Sequence, residues 1–318
     1  MGDLLQELRL IPIFANINPE TLESLSKLLK EERFGQGEYV VREGDHAEAM
    51  YIIRSGEVEV RKAIRREPEK YKTLAILEKG DIFGEMAVFG GEEFRSADVV
   101  ARKDALLWKM DYSELFNILR SDPAGGVKIL QVIITILVTR IKSLNRELTT
   151  LYELGQRLQQ LNDIEDLTKV VFGLVMSNVE PAEAGLLAIL NIFNEEFDIH
   201  QSSETIQERH IDYKDPVAVW MFENKTPLIV KDKASDPRFK NTFYSGLSFI
   251  ASPFLHEERL LGFILLSNLS YQNAFSYSHM ILLSTVCAQV GARLNDLERK
   301  KEEILKQRLS QGRLTVKI

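Results

Sequence analysis

Residues Phe83–Ala101 read Phe-Gly-Glu-Met-Ala-Val-Phe-Gly-Gly-Glu-Glu-Phe-Arg-Ser-Ala-Asp-Val-Val-Ala, and this order of glycine, carboxylate and arginine indicates the fold around it. Gly84-Glu85 predicts the start of a short, tight segment, and Gly90-Gly91 predicts its end. An arginine offers a fork of charged donors to phosphate oxygens, and the amides of a glycine turn attract the same anion. A carboxylate accepts a hydrogen bond from a ribose hydroxyl. The stretch therefore predicts a site for a phosphorylated sugar.

This pattern resembles the phosphate-binding cassette of cyclic nucleotide-binding domains, the module shared by bacterial catabolite activators, cyclic-nucleotide-dependent kinases and gated channels. The resemblance implies that Glu85 holds the ribose 2′-hydroxyl, that Arg95 holds the cyclic phosphate and that Ser96 adds a phosphate donor. It also implies a cAMP or cGMP ligand, and Ser96 beside the arginine favours cAMP. The predicted binding residues are Gly84, Glu85, Met86, Ala87, Arg95, Ser96 and Ala97.

The chain around the cassette predicts many short strands. Between Glu32 and Trp108 the hydrophobic period is two, and turns such as Gly35-Gln36-Gly37 and Ser55-Gly56 interrupt it. Such a pattern is typical of an all-β sandwich or barrel. The turn glycines resemble those of the cyclic nucleotide-binding jelly roll, so we expect a β jelly roll with flanking helices over residues 1–125.

A joint and a long helix are predicted next. Ala124-Gly125-Gly126 predicts a flexible joint, and a helical pattern follows it to about Leu161. We assign residues 126–161 to a hinge and linker helix. In the family this region covers the bound base when nucleotide arrives, and candidates for that contact lie between Arg140 and Arg146.

The linker helix carries a coiled-coil pattern with one break of phase. Apolar residues at alternating steps of four and three form the seam of a coiled coil, and a second step of three shifts that seam. Two interpretations stay open: a helix that packs on its own domain, and a parallel homodimer helix that transmits motion between domains. The seam residues are Leu137, Ile141, Leu144, Leu148 and Leu151, followed one phase off by Leu154, Leu158 and Leu161.

The second half predicts a different architecture. From Asn162 the order helix, strand, strand, helix, strand, hairpin, helix is that of an α+β sensor over residues 162–297, with a charged helical tail over 298–318. This half resembles a GAF domain, and a PAS-like sensor is the alternative. The motifs that carry the resemblance include Leu228–Asp232, Asp236-Pro237-Arg238, Ser252-Pro253 and Leu261–Leu265.

The ligand of this second domain is not predicted. In GAF domains that bind cyclic nucleotides, the signature is a phenylalanine followed, after three residues, by an Asp-Glu pair. Here Phe275 is followed at that place by His279-Met280. The resemblance therefore does not imply that the second domain binds a nucleotide.

Composition restricts the classes of partner. The chain has 318 residues, a formal net charge of -7 and a pI of about 5.5, which argues against broad binding of nucleic acid. The one cysteine, Cys287, allows no internal disulfide, and the five histidines show no local spacing of metal ligands, so no metal site or cofactor is predicted. The longest apolar run, Val132–Val138, is far shorter than the ~20 residues of a membrane span. We expect a cytoplasmic protein without membrane contact.

These observations predict a signalling receptor rather than an enzyme, since no catalytic motif is visible. The first domain would bind a cyclic nucleotide, and a dimeric helix would pass its state to the GAF-like domain and to a downstream output protein. One alternative is the regulatory half of a larger enzyme, such as a nucleotide cyclase, kinase or phosphodiesterase. Another is a dimer scaffold with a degenerate pocket.

Overall fold

The computed structural model describes residues 2–11, 14–15, 18–64, 67–86, 93–192, 194, 196–203, 208–244 and 246–315. The chain divides into unit 1, Met1–Ser143, and unit 2, Leu144–Ile318. Ala87 and the predicted Gly90-Gly91 break lie outside the described residues.

Unit 1 is built mainly from short strands with helices at both ends. Asn18 caps the second helix, since its side chain accepts from the backbone N–H of Thr21 at 2.8 Å. The elements are α1 (Gly2–Arg9), α2 (Pro19–Ser26), β1 (Leu29–Phe34), β2 (Tyr39–Val41), β3 (Ala49–Ser55), β4 (Glu57–Ile64), β5 (Glu67–Glu78), β6 (Ile82–Phe83), β7 (Asp98–Ala101), β8 (Ala105–Asp111), α3 (Tyr112–Ser121) and the first part of α4 (Pro123–Leu158).

Two four-stranded antiparallel sheets enclose one core of unit 1. Their strand orders are β1-β8-β3-β6 and β2-β7-β4-β5. β3 is buried on both faces because its residues alternate between two cores. Tyr51 and Ile53 lie in the core between the sheets, whereas Met50 and Ile52 lie in a second core that includes residues of the helices. This arrangement confirms the predicted jelly roll with flanking helices.

The expected flexible joint at Ala124-Gly125-Gly126 is the first turn of α4 in the structure. Pro123 begins the helix, and the side chain of Asp122 accepts from the backbone N–H of Gly125 at 3.1 Å. Gly126 is buried, and a Cβ placed on it would lie 2.6 Å from Cδ2 of Leu119. Here the glycine allows α4 to approach α3 closely.

By length and composition α4 could also cross a membrane, since one 18-residue window within it has a mean hydropathy of 1.7. Core helices of soluble proteins pass the same test, and Ile129, Ile133 and Ile136 of α4 are buried in the core of unit 1. The expectation of a protein without membrane contact stays a prediction, and α4 is the helix whose length and composition could contradict it.

Unit 2 contains one six-stranded antiparallel sheet with the order β11-β10-β9-β14-β13-β12. One core includes residues of the first and last helices of this group, and a second, rich in aromatic residues, includes residues of the middle helix. This confirms the predicted α+β domain. The elements are α5 (Ile164–Asn178), β9 (Ala184–Asn191), β10 (Glu196–Ser202), β11 (His210–Asp212), α6 (Pro216–Asn224), β12 (Leu228–Val230), β13 (Ser248–His256), β14 (Arg259–Asn268) and α7 (Tyr277–Thr315).

The predicted coiled-coil seam divides into two parts along α4. Ile141, Leu144 and Leu148 are each more than half exposed. Leu154 and Leu158, beyond the phase break, are buried in the core of unit 2 that also holds the apolar face of α5. The break of phase therefore coincides with the point at which α4 packs into unit 2.

Candidate functional site

The cassette begins at Gly84, a position that has no room for a side chain. Gly84 follows β6 and has a φ of +84°, a left-handed conformation that favours glycine. A Cβ at this position would lie 2.6 Å from Nη1 of Arg95 and 3.0 Å from the carbonyl oxygen of Ala49. Gly84 thus lets the backbone touch the guanidinium of Arg95.

Arg95 is held in the interior of unit 1 and is 9% exposed. Its backbone N–H donates to the carbonyl of Asp45 at 2.8 Å, and its carbonyl accepts from Gly44 at 2.9 Å. Its Nη2 donates to the carbonyl of Ala49 at 2.6 Å. Its Nε is buried and has no hydrogen-bond partner among the described residues. A buried charged donor without a partner is unfavourable, and an anion would satisfy it.

Glu85 is buried as well, with 1% of its surface exposed, and its partner comes from the long helix. Nη1 of Arg140 on α4 donates to Oε1 of Glu85, and Nη2 of Arg140 donates to the carbonyl of Ile82. A buried carboxylate is tolerable when a cation and hydrogen bonds compensate it. Arg140 therefore joins α4 to the residue predicted to hold the ribose.

Two further titratable groups lie near this ion pair. Burial raises the pKa of Asp81 to about 6, and the positive charge of Arg140 opposes that rise. The Asp81 carboxylate accepts from the backbone N–H of Glu78 at 2.8 Å. Burial also raises the pKa of the Tyr112 hydroxyl, which donates to the carbonyl of Gly84. Burial thus disfavours the charged forms of these two groups beside the cassette.

The remaining predicted residues lie at the surface of the site. Met86 is 61% exposed, Ser96 is exposed and Ala97 is half-buried. The carbonyl of Ser96 accepts from Nζ of Lys62 at 3.0 Å, so its position is tied to β4. Ala87 lies outside the described residues.

The structure brings Gly84, Glu85 and Arg95 together and adds two residues that the sequence did not single out. Tyr112 donates to the backbone of the cassette, and Arg140 was only one end of the range Arg140 to Arg146. Arg140 is 55 positions from Glu85. No local pattern in the sequence indicates that contact. An arginine within a mainly apolar helix does indicate that the residue has an acidic partner elsewhere in the chain.

Each half of the chain matches the model of a known domain family. The family model of the cyclic nucleotide-binding domain matches residues 31–122, and that of the GAF domain matches residues 159–294. A solved cyclic nucleotide-binding domain from Methylobacillus flagellatus is 25% identical, with a TM-score of 0.39, and covers 44% of this chain and 78% of its own.

Curated relatives match the first domain. The cGMP-dependent protein kinase egl-4 of Caenorhabditis elegans is 31% identical over 101 residues, which are 32% of this chain and 13% of that kinase. Human cGMP-dependent protein kinase 2 is 29% identical over 112 residues, or 35% of this chain and 14% of its own length. The match thus spans less than a sixth of these relatives. This chain carries a cyclic nucleotide-binding domain followed by a GAF domain, both of them regulatory domains.

Proposed function

We propose that this protein is a cytoplasmic signalling receptor that binds a cyclic nucleotide, cAMP in preference to cGMP. One observation carries the proposal: the buried Arg95 has an Nε without a partner among the described residues. Its guanidinium lies against Gly84, the residue that precedes the buried Glu85. Placing two charged groups in an interior destabilises the fold unless a ligand or a partner compensates them. A cyclic phosphate would compensate Arg95, and a ribose hydroxyl would bind Glu85.

In the proposed complex, the guanidinium of Arg95 and the amides of residues 84–87 bind the phosphate. Ser96 and Ala97 border it, and Ser96 contributes its hydroxyl. The 2′-hydroxyl of the ribose donates to Glu85. Ser96 favours cAMP, while the relatives named cGMP-dependent kinases make cGMP the second candidate.

The proposed relay begins at Arg140. Glu85 contacts Arg140 on α4 and would also contact the ribose. Nucleotide binding would therefore change the contact that holds α4 in its present position. If the ligand binds the two conformations of the protein, which differ in the position of α4, with different affinity, it shifts their populations. The movement would take place about the first turn of α4, residues 124–126, and α4 would pass it to the GAF domain and to an output protein.

We also propose that α4 forms a parallel homodimer. Its exposed residues Ile141, Leu144 and Leu148 follow the alternating spacing of a coiled-coil seam. A row of exposed apolar side chains of this kind favours a partner helix. The same row on a second copy would bury it.

Calorimetric titration of the full chain with cAMP, cGMP and a cyclic dinucleotide tests the ligand. We expect saturable binding of cAMP, weaker binding of cGMP and none of the dinucleotide. A site of about 100 μM affinity would also raise the melting temperature at millimolar ligand. No heat and no shift with either mononucleotide would contradict the receptor and favour the degenerate scaffold.

The dimer is tested by analytical ultracentrifugation. Leu148→Glu should convert a dimer to a monomer, because it places a charge in the seam. Thr149→Glu changes the adjacent exposed position and should leave the dimer intact. A wild-type chain that sediments as a monomer at about 100 μM would exclude the seam as an interface.

A second candidate is the regulatory part of a larger enzyme. The curated relatives favour it, because the stretch they share with this chain is a small part of two protein kinases. Sequencing of the transcript beyond the codon of Ile318 distinguishes the two. A catalytic domain in the same reading frame would favour the regulatory part of an enzyme over a receptor that acts through a separate output protein.

A further inference from the structure

The edge of the sheet in unit 2 brings together three side chains of metal-binding type. Glu196 and Asp198 are two positions apart on β10 and therefore share one face of the sheet. His210 on β11 is the cross-strand partner of Asp198. Its Nδ1 lies 2.8 Å from Oδ1 of Asp198 and 3.7 Å from Oε1 of Glu196. One donor atom from each residue lies within 4.8 Å of the other two.

These separations suit one small ion. A tetrahedral zinc ion with ligands at about 2.0–2.1 Å spaces its donor atoms about 3.3 Å apart. The two distances from Nδ1 of His210, 2.8 and 3.7 Å, fall on either side of that value. Because His210 is exposed and neither carboxylate side chain is buried, minor adjustments of their torsions would bring all three donors to an ion.

Neighbouring amides already orient both carboxylates. Nδ2 of Asn191 donates to Oδ2 of Asp198 at 3.0 Å, which leaves Oδ1 facing His210. Nδ2 of Asn194 donates to Oε1 of Glu196, also at 3.0 Å. Hydrogen bonds of this kind fix the direction of metal ligands.

Two of the three residues also line a cleft of about 920 Å³ formed by the start of α5, by β10 and β11, and by α7. Asp198 and His210 are among its lining residues, so an ion has a path of entry and room for further ligands. Arg209, Lys300 and Lys301 line the same cleft. Their positive charge favours a small anion as the exogenous ligand.

We propose that Glu196, Asp198 and His210 bind a divalent transition-metal ion of the Zn²⁺ class. One imidazole nitrogen with two carboxylate oxygens suits Zn²⁺, Mn²⁺ or Fe²⁺, whereas Mg²⁺ and Ca²⁺ prefer oxygen alone. The ion joins β10 to the short edge strand β11 and thereby stabilises one wall of the cleft. This site is separate from the proposed cyclic nucleotide function, since it lies in the other unit and takes another class of ligand.

Equilibrium dialysis of the tag-free full chain against Zn²⁺, Mn²⁺, Mg²⁺ and Ca²⁺, with metal analysis, tests the proposal. We expect about one equivalent of Zn²⁺ per chain and a higher melting temperature in its presence. Asp198→Asn and His210→Ala should each weaken Zn²⁺ binding by about 100-fold or more. His256→Ala removes the histidine at the end of β13 and should leave binding unchanged.

Co²⁺ adds a readout that depends on the ligands themselves, since its visible absorption should appear with wild type and disappear with His210→Ala. Both site variants should melt like wild type in the absence of metal, because neither residue belongs to the core. Zn²⁺ binding that is absent from wild type, or that survives His210→Ala, would overturn the site and leave a histidine–carboxylate ion pair. Equal affinity for Mg²⁺ would overturn the class of ion.

Discussion

Unit 1 keeps two opposite charges in its interior, whereas the aromatic core of unit 2 is filled by uncharged rings. In unit 1, Glu85 and Arg95 are almost completely buried, and one nitrogen of Arg95 has no partner among the described residues. In unit 2, Phe239 and Phe249 meet edge to face at 5.8 Å, and Phe197 and Phe263 at 4.9 Å. The difference teaches that unit 1 retains an unfavourable interior that a charged ligand can relieve, while this face of unit 2 is already closed by its own side chains.

The largest expected effect concerns the aromatic core of unit 2. Phe249→Ala should lower the free energy of unfolding by about 3–5 kcal/mol, because it leaves a cavity where a fully buried ring packs. Urea denaturation of the full chain measures it. Tyr271→Ala, at a side chain that is 68% exposed, is the control and should change the free energy by less than about 0.5 kcal/mol. A loss of less than about 1 kcal/mol for Phe249→Ala would show that this core is not tightly closed.

The next effect sharpens the charged side of the comparison. Arg95→Ala should weaken cyclic nucleotide binding by about 3 kcal/mol, or more than 100-fold, since the phosphate loses its charged donors. Arg95→Lys keeps the charge but loses the planar fork, and we expect an intermediate affinity. Calorimetric titration measures both. Unchanged affinity in Arg95→Ala would mean that the phosphate binds elsewhere.

A third effect tests whether unit 1 gives up stability for its charged interior. The pKa of Asp81 is raised from its ordinary 3.8 to about 6, so the folded state binds the proton more tightly than the unfolded state. Its contribution to stability therefore falls as pH rises from about 4 to about 6, and by pH 7 the loss is up to about 3 kcal/mol. Asp81→Asn should be more stable than wild type at pH 7 by up to that amount.

Chemical denaturation of both proteins at pH 4 and pH 7 checks this prediction. Near pH 4 the wild-type carboxyl of Asp81 is mostly protonated in the folded state, so the two proteins should be nearly equally stable. If Asp81→Asn is more stable than wild type by the same amount at both pH values, the raised pKa of Asp81 is contradicted.

The smallest effect compares two glycines of α4. Gly126→Ala should cost about 1–3 kcal/mol because the new methyl group meets Leu119, where Cα is 2.9 Å away. Gly155→Ala is the matched control in the same helix, since a Cβ there meets nothing within 4 Å. That change should stabilise by up to about 1 kcal/mol. Thermal unfolding measures both, and equal effects would contradict the close packing of Gly126 on Leu119.

Much of the fold was predictable because it depends on local patterns. The period of two and the glycine turns indicated the jelly roll, and the α+β order of the second half was recovered as well. β11 was not predicted, because His210–Asp212 is too short to show a period and exists through pairing with β10. The helical start at 124–126 was also missed, since glycines that favour a turn in isolation are accommodated by packing on Leu119.

The sequence by itself determined which residue types form the candidate nucleotide site, because Gly84, Glu85, Arg95 and Ser96 lie within one short segment. It also determined the heptad seam and its break of phase. Only the tertiary structure decided that Arg140 is the partner of Glu85 and that His210 meets Asp198. These contacts join residues that are distant in the chain, and their geometry depends on how whole elements pack, which no local period records.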